Sequence, residues 1–128
     1  MTTEIPEKEP LLRIKTRPND ANSTGEIFGG WLMSQIDIAG SLLAIKKSKG
    51  PVATVAVKQL QFIKPIYTYD LVSFYGEITH IGNTSITVDV QAFATHLTDG
   101  ELETIKVSDA TLVYVAISEP GVKRQLNE

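Results

Sequence analysis

The chain contains no cysteine, and that absence removes disulfides, thiolate metal sites and a cysteine nucleophile together. Histidine is nearly as scarce. His80 and His96 are the only two, and their separation matches no ligand spacing, so neither a metal site nor a triad base is expected. No Gly-x-Ser-x-Gly elbow occurs, which argues against a serine hydrolase. Net charge is −3 with the basic residues scattered, so no basic face is offered to nucleic acid. The opening "MTTEIPEKEP" has neither a basic nor an apolar signal region, which makes the cytoplasm the expected compartment. One apolar run, Ile27 to Ile45, is long enough to raise a membrane span. It carries Ser34, Gln35, Ser41, three glycines and a central carboxylate, Asp37, so no stable membrane insertion is expected.

What is present suits one domain. At 128 residues the chain is long enough for a sizeable core. Residues 1–10 are polar and proline-punctuated, as in a flexible arm. A short strand is expected over 11–17 and a loop of turn formers, "PNDANSTG", over 18–25. The helix expected from about Gly29 to Lys47 has Lys46, Lys47 and Lys49 at its negative dipole end and Gly50-Pro51 to stop it. After Pro51 the periodicity falls to two, with strands over 52–63, 71–81, 84–96 and 104–117. Gly82-Asn83 and a turn containing Asp99-Gly100 mark hairpins, so these neighbours run antiparallel.

This order predicts an α+β domain. Leu32, Ile36 and Leu43 line one side of the helix, and Ile38, Leu42 and Ile45 another. A helix apolar on most sides needs a sheet curved about it or a second chain over it. Strands longer than usual suit a curved sheet. The expected architecture is the hotdog fold, one long central helix wrapped by a curved antiparallel sheet of about five strands. Apolar surface left over, with an unpaired edge strand, predicts a homodimer at least.

Asp37 is the one ionisable side chain between Ile27 and Ile45, and no Lys or Arg stands three or four residues from it. A structural aspartate bonded to backbone or serine is one reading, and a working carboxylate is the other. Ser34 and Ser41 share its helical stripe. Gly29-Gly30 open the same helix, where N–H groups without intrahelical partners can bind an anion. A carboxylate with nearby oxyanion donors suggests acyl transfer. Gly29 and Asp37 are, however, eight residues apart, roughly 12 Å along the axis. One carbonyl cannot reach both in one chain, so a working site would pair the carboxylate of one subunit with the helix opening of another.

The runs "PNDANSTGEIFGGWLMSQIDIAG", "VAVKQLQFIKPI" and "VSDATLVYVAI" resemble the hotdog acyl-CoA thioesterases, in particular their YciA-like bacterial branch. The resemblance spans about residues 11–124. It implies hydrolysis of short- to medium- or long-chain acyl-CoA to free acid and CoA without a cofactor. It also implies that Asp37 activates water or attacks the thioester, that Gly29 N–H polarises the carbonyl, that Asn22 orients, and that Ser41 holds water. Gly30, Thr84, Ser85, Lys64 and Arg124 are its expected substrate-binding positions. For Lys64, Lys123 and Arg124 the competing reading is an ordinary solvated cation. Two departures bear on the CoA phosphates. The turn before the 84–96 strand reads His80-Ile81-Gly82-Asn83 where relatives often carry basic residues, and Tyr69-Asp70 stands for the usual Gly-Asp. Relatives often form hexamers, as trimers of dimers.

Two other readings compete. A non-catalytic acyl-CoA-binding hotdog module would leave the carboxylate dispensable. A dehydratase would want a histidine in the helix or its opening loop, where neither histidine lies. Asp109 is expected to have a structural role. Phe28, Trp31 and Met33 are expected in the core or the acyl-pocket wall.

Overall fold

The computed structural model describes residues 4–126. Strand β1 (Leu12–Lys15) and a 3-10 turn at Pro18–Asp20 lead to helix α1 (Gly29–Ser48). Five further strands follow: β2 (Val52–Phe62), β3 (Leu71–Ile81), β4 (Ser85–Thr98), β5 (Glu101–Glu119) and β6 (Val122–Lys123). The sheet order is β1-β3-β4-β5-β2 with β6 on β5, and every pairing is antiparallel. The expected hotdog architecture is present, with six strands where about five were expected. The additional one, β6, has two residues, too few to carry a period. It folds back on β5 through Gly121, whose φ of 83° needs a glycine. Strand β5 also begins three residues earlier than its apolar pattern, because Asp99 (φ 51°) and Gly100 (φ 82°) close a tight turn and the ladder starts at once.

Helix α1 packs on the concave face. Leu32, Ile36, Ala39 and Ala44 are buried against Val72 and Phe74 of β3, Ile86, Val88 and Val90 of β4, and Leu112 and Tyr114 of β5. One chain covers only this side of the helix. Met33, Ile38, Leu42 and Ile45 are each more than 40% exposed, as are Val55, Val57 and Phe62 on the edge strand β2. The all-round apolar helix is thus half covered by its own sheet.

The helix ends are built differently. At the opening Phe28 is extended and no side chain caps the first turn, which leaves Gly29 and Gly30 N–H free of an intrahelical partner. At the close Lys49 adopts the left-handed conformation (φ 60°), and its N–H donates to Ile45 O at 2.8 Å. The Arg124 guanidinium lies across this end, donating to Ser48 O at 3.1 Å, Pro51 O at 3.3 Å and Ile117 O at 3.2 Å. Of the expected arm, residues 1–3 lie outside the described residues. Residues 4–10 form neither helix nor strand, and Lys8 Nζ donates to Gly76 O at 3.0 Å.

Candidate active site

Asp37 sits two turns into α1, on the side facing β2. The residue is half-buried, and its Oδ1 accepts a hydrogen bond from Thr54 Oγ1 at 2.7 Å. The sheet covers the neighbours of Asp37 on one side only, so burial demands no ion pair. A cleft of about 380 Å³ opens beside it, lined by Gly30, Met33, Ser34, Val57, Leu60 and Leu112. The walls are mostly apolar, as an acyl chain would require. From behind, Tyr114 Oη donates to the main-chain carbonyl of Asp37 at 2.7 Å.

The helix opening faces a second cleft. Gly29 lies in a cavity of about 290 Å³ with Ile27, Phe28, Phe62, Lys64 and Pro65. A Cβ at Gly29 would stand 3.2 Å from Phe62 Cζ, whereas at Gly30 it would meet nothing. A side chain at position 29 would therefore press on the exposed Phe62 ring, and one at position 30 would not. Asp37 and Gly29 line different clefts of one chain, as their spacing along the helix requires.

The remaining expected residues separate by location. Asn22 Oδ1 accepts from Thr24 N and Thr24 Oγ1 at 2.9 Å each and from Glu26 N at 3.1 Å, which ties the loop before the helix and occupies that oxygen. Ser41 Oγ donates to Ile38 O at 2.7 Å and makes no bond to Asp37. Ser85 starts β4 opposite Val115, and Thr84, just before it, accepts from Ala116 N at 2.9 Å; Ile117 N of the same strand donates to Pro51 O, just past the end of α1. Arg124 is there too, lining the same region with its guanidinium turned to the end of the helix. The three guanidinium hydrogen bonds go to carbonyls of the chain, one of them, Ser48 O, at the end of α1, where carbonyls lack helical partners. The exposed cations beside it are Lys47 and Lys49, in a cleft of about 660 Å³ with Ile81, Gln125 and Leu126. Lys64 shares the Gly29 cleft.

The sequence and the fold both have counterparts among known proteins. The profile of the thioesterase superfamily matches residues 24–101. The acyl-CoA thioester hydrolase YciA of Salmonella typhimurium is 36% identical, over 98% of this chain and 97% of its own. The chain belongs to the hotdog acyl-CoA thioester hydrolases. Among solved structures, a hexameric hotdog-fold thioesterase of Campylobacter jejuni superposes with a TM-score of 0.90 at 36% identity, covering 94% of this chain and 91% of that one. HI0827, a hexameric broad-specificity acyl-coenzyme A thioesterase, gives 0.89 at 36% identity, covering 98% and 85%.

For a chain of this family, Thr54 and Tyr114 are the site neighbours that sequence reasoning missed. The signal for Thr54 was the one hydroxyl in "VATVAV", a strand otherwise apolar at its start. Tyr114 carried none, since a tyrosine in "LVYVAI" reads as core. Burial and the neighbouring Asp37 push the Tyr114 phenol above its ordinary range, so it remains a donor. Elsewhere His96 stands between two carboxylates, Nδ1 at 3.6 Å from Asp70 Oδ1 and Nε2 at 3.1 Å from Glu103 Oε1. Burial raises the Asp70 carboxyl, while the Tyr67 amide and His96 pull it down. Tyr69, where the family pattern has glycine, holds φ 75°, a backbone state that glycine adopts freely and a tyrosine does not. Asp109 pairs with Lys106 at 2.8 Å. Among the described residues no cluster of His, Asp and Glu could hold a metal ion, and no helix is long and apolar enough to cross a membrane.

Proposed function

We propose that this chain is a single-domain, cytoplasmic acyl-CoA thioesterase that releases a free acid and CoA, acting on chains from short through medium or long. The observation carrying the reading is Asp37, a carboxylate oriented by the Thr54 hydroxyl at the mouth of an apolar cleft. A thioester is already activated and its thiolate leaves without a strong general acid, so a carboxylate and two or three donors suffice. Asp37 acts as general base toward water or as nucleophile, and either role needs the same geometry. The carbonyl oxygen is polarised by the Gly29 N–H of a second subunit, and Gly30 allows the substrate close to the backbone. Asn22, whose Oδ1 is taken by its own loop, orients through its amide nitrogen, and Ser41 holds water through its oxygen lone pairs. Thr84, Ser85, Lys64, Lys47 and Lys49 receive the CoA end of the substrate, with Arg124 shaping that region by holding the end of the helix. No cofactor is required, and CoA enters only as part of the substrate.

The assembly is a homodimer at least. Known relatives named as hexamers support a trimer of dimers. An acyl-CoA panel assayed by free-thiol release tests the reading. Turnover is expected across several chain lengths, with a loss of at least about a hundredfold in Asp37→Ala. Full activity in that variant would remove Asp37 from the mechanism. Failure on every CoA ester, with binding retained, would make the chain a binding module.

A further inference from the structure

One rung of the β2–β5 ladder holds one helical residue at two points. Thr54 and Tyr114 are directly opposite in the register, and opposite residues of an antiparallel pair share a face of the sheet. Thr54 takes the carboxylate of Asp37 and Tyr114 takes its main-chain carbonyl, each at 2.7 Å. The carbonyl already has its helical partner four residues on, so the tyrosine hydroxyl is an addition. It fits because position 40 is glycine. A Cβ there would overlap the hydroxyl and stand 3.2 Å from ring carbons of Tyr114. Both members of this pair, Tyr114 and Gly40, are buried. Beyond Thr54 the ladder breaks, with Val55 as the extra residue before Ala56 meets Val113. Such a bulge re-aims a strand locally, and here it follows the residue that reaches Asp37.

We infer that Tyr114 is a positioning residue for Asp37, its hydroxyl seated in the notch left by Gly40 and fixing the helical turn so that the carboxylate lies on Thr54. The inference rests on the proposed role of Asp37 in thioester hydrolysis. It extends that role to Tyr114 and Gly40, which act through the main chain of the helical turn. Misplacing a reacting group by an ångström costs rate far more than affinity. Tyr114→Phe, which keeps the ring and deletes the hydroxyl, is therefore expected to lower kcat about tenfold while KM for acyl-CoA changes less than about twofold. Gly40→Ala is expected to do the same by expelling the hydroxyl. Coupled residues do not add, so the double variant should match Tyr114→Phe alone, the methyl filling the space the hydroxyl left.

A readout without turnover separates this inference from the thioesterase reading. The main-chain carbonyl carbon of Asp37 should shift in its NMR resonance on Tyr114→Phe, because it loses a donor. A native protein inactive on every acyl-CoA would overturn the proposed reaction, and the positioning claim would then be decided by that resonance alone. An unmoved Asp37 carbonyl resonance would overturn the positioning claim. So would native kcat in Tyr114→Phe, or losses that multiply in the double variant.

Discussion

Thr54 is the residue whose contribution is most cleanly isolated. Its hydroxyl donates to the Asp37 carboxylate at 2.7 Å, and the residue is exposed on an edge strand, so changing it leaves the core intact. Thr54→Val preserves shape and β-propensity and deletes the donor. Turnover is expected to drop by roughly ten- to a hundredfold with the melting temperature nearly unchanged, and Thr54→Ser should recover most of it. Equal activity of the valine and serine variants would show that the hydroxyl does no positioning. Asp37 itself was legible in the sequence from its isolation in an apolar run. Its partners were not, because Thr54 and Tyr114 are 17 and 77 residues away and only the fold brings them to it. Asn22 was legible only through family spacing, and Ser41 through its helical stripe as well. Within one chain each is satisfied locally, like any turn asparagine or helical serine.

At the level of elements, the helix and the four long strands followed from hydrophobic period and turn residues, since the physics that forms them is local. The ends of elements followed less well. Nothing near Ser48 in the sequence announces that a guanidinium 76 residues on closes the helix. Gly50 shows the fit from the other side, because a Cβ there would stand 2.7 Å from Arg124 Nη2. Arg124→Ala would leave three carbonyls without this donor, and a loss of about 1–3 kcal/mol of stability is expected. Arg124→Lys should rescue little, because a single ammonium cannot span acceptors on two segments. Thermal melts of the three proteins check the first effect, and KM for acyl-CoA checks the second claim contained here. KM should stay within about threefold in Arg124→Ala, provided the fold is retained. A tenfold rise in KM with unchanged melting would return Arg124 to the CoA phosphates.

The whole molecule is where a single chain leaves most undone. A helix face with Ile38, Leu42 and Ile45 exposed and an edge strand with Val55 and Val57 exposed form an apolar margin that association would cover. The same association would complete the site, because Gly29 and Asp37 line separate clefts and are roughly 12 Å apart along one axis. Complementation decides the matter. Asp37→Ala removes the carboxylate, and Gly29→Pro removes the N–H at the first helical position, where proline is well tolerated. Phe28 already holds the extended conformation that a following proline requires (φ −60°, ψ 140°). Phe62, 3.2 Å from the new Cβ, is 56% exposed and free to yield the few tenths of an ångström needed. Each variant alone should be inactive while folded and assembled, by circular dichroism and size-exclusion chromatography. After subunit exchange at equal concentrations, half of the dimers are mixed, and each mixed dimer holds one intact site of its two. Activity is then expected to return to about a quarter of native. Mixtures that exchange subunits, shown by differently labelled chains, yet stay inactive would place a complete site within each chain and refute the shared one.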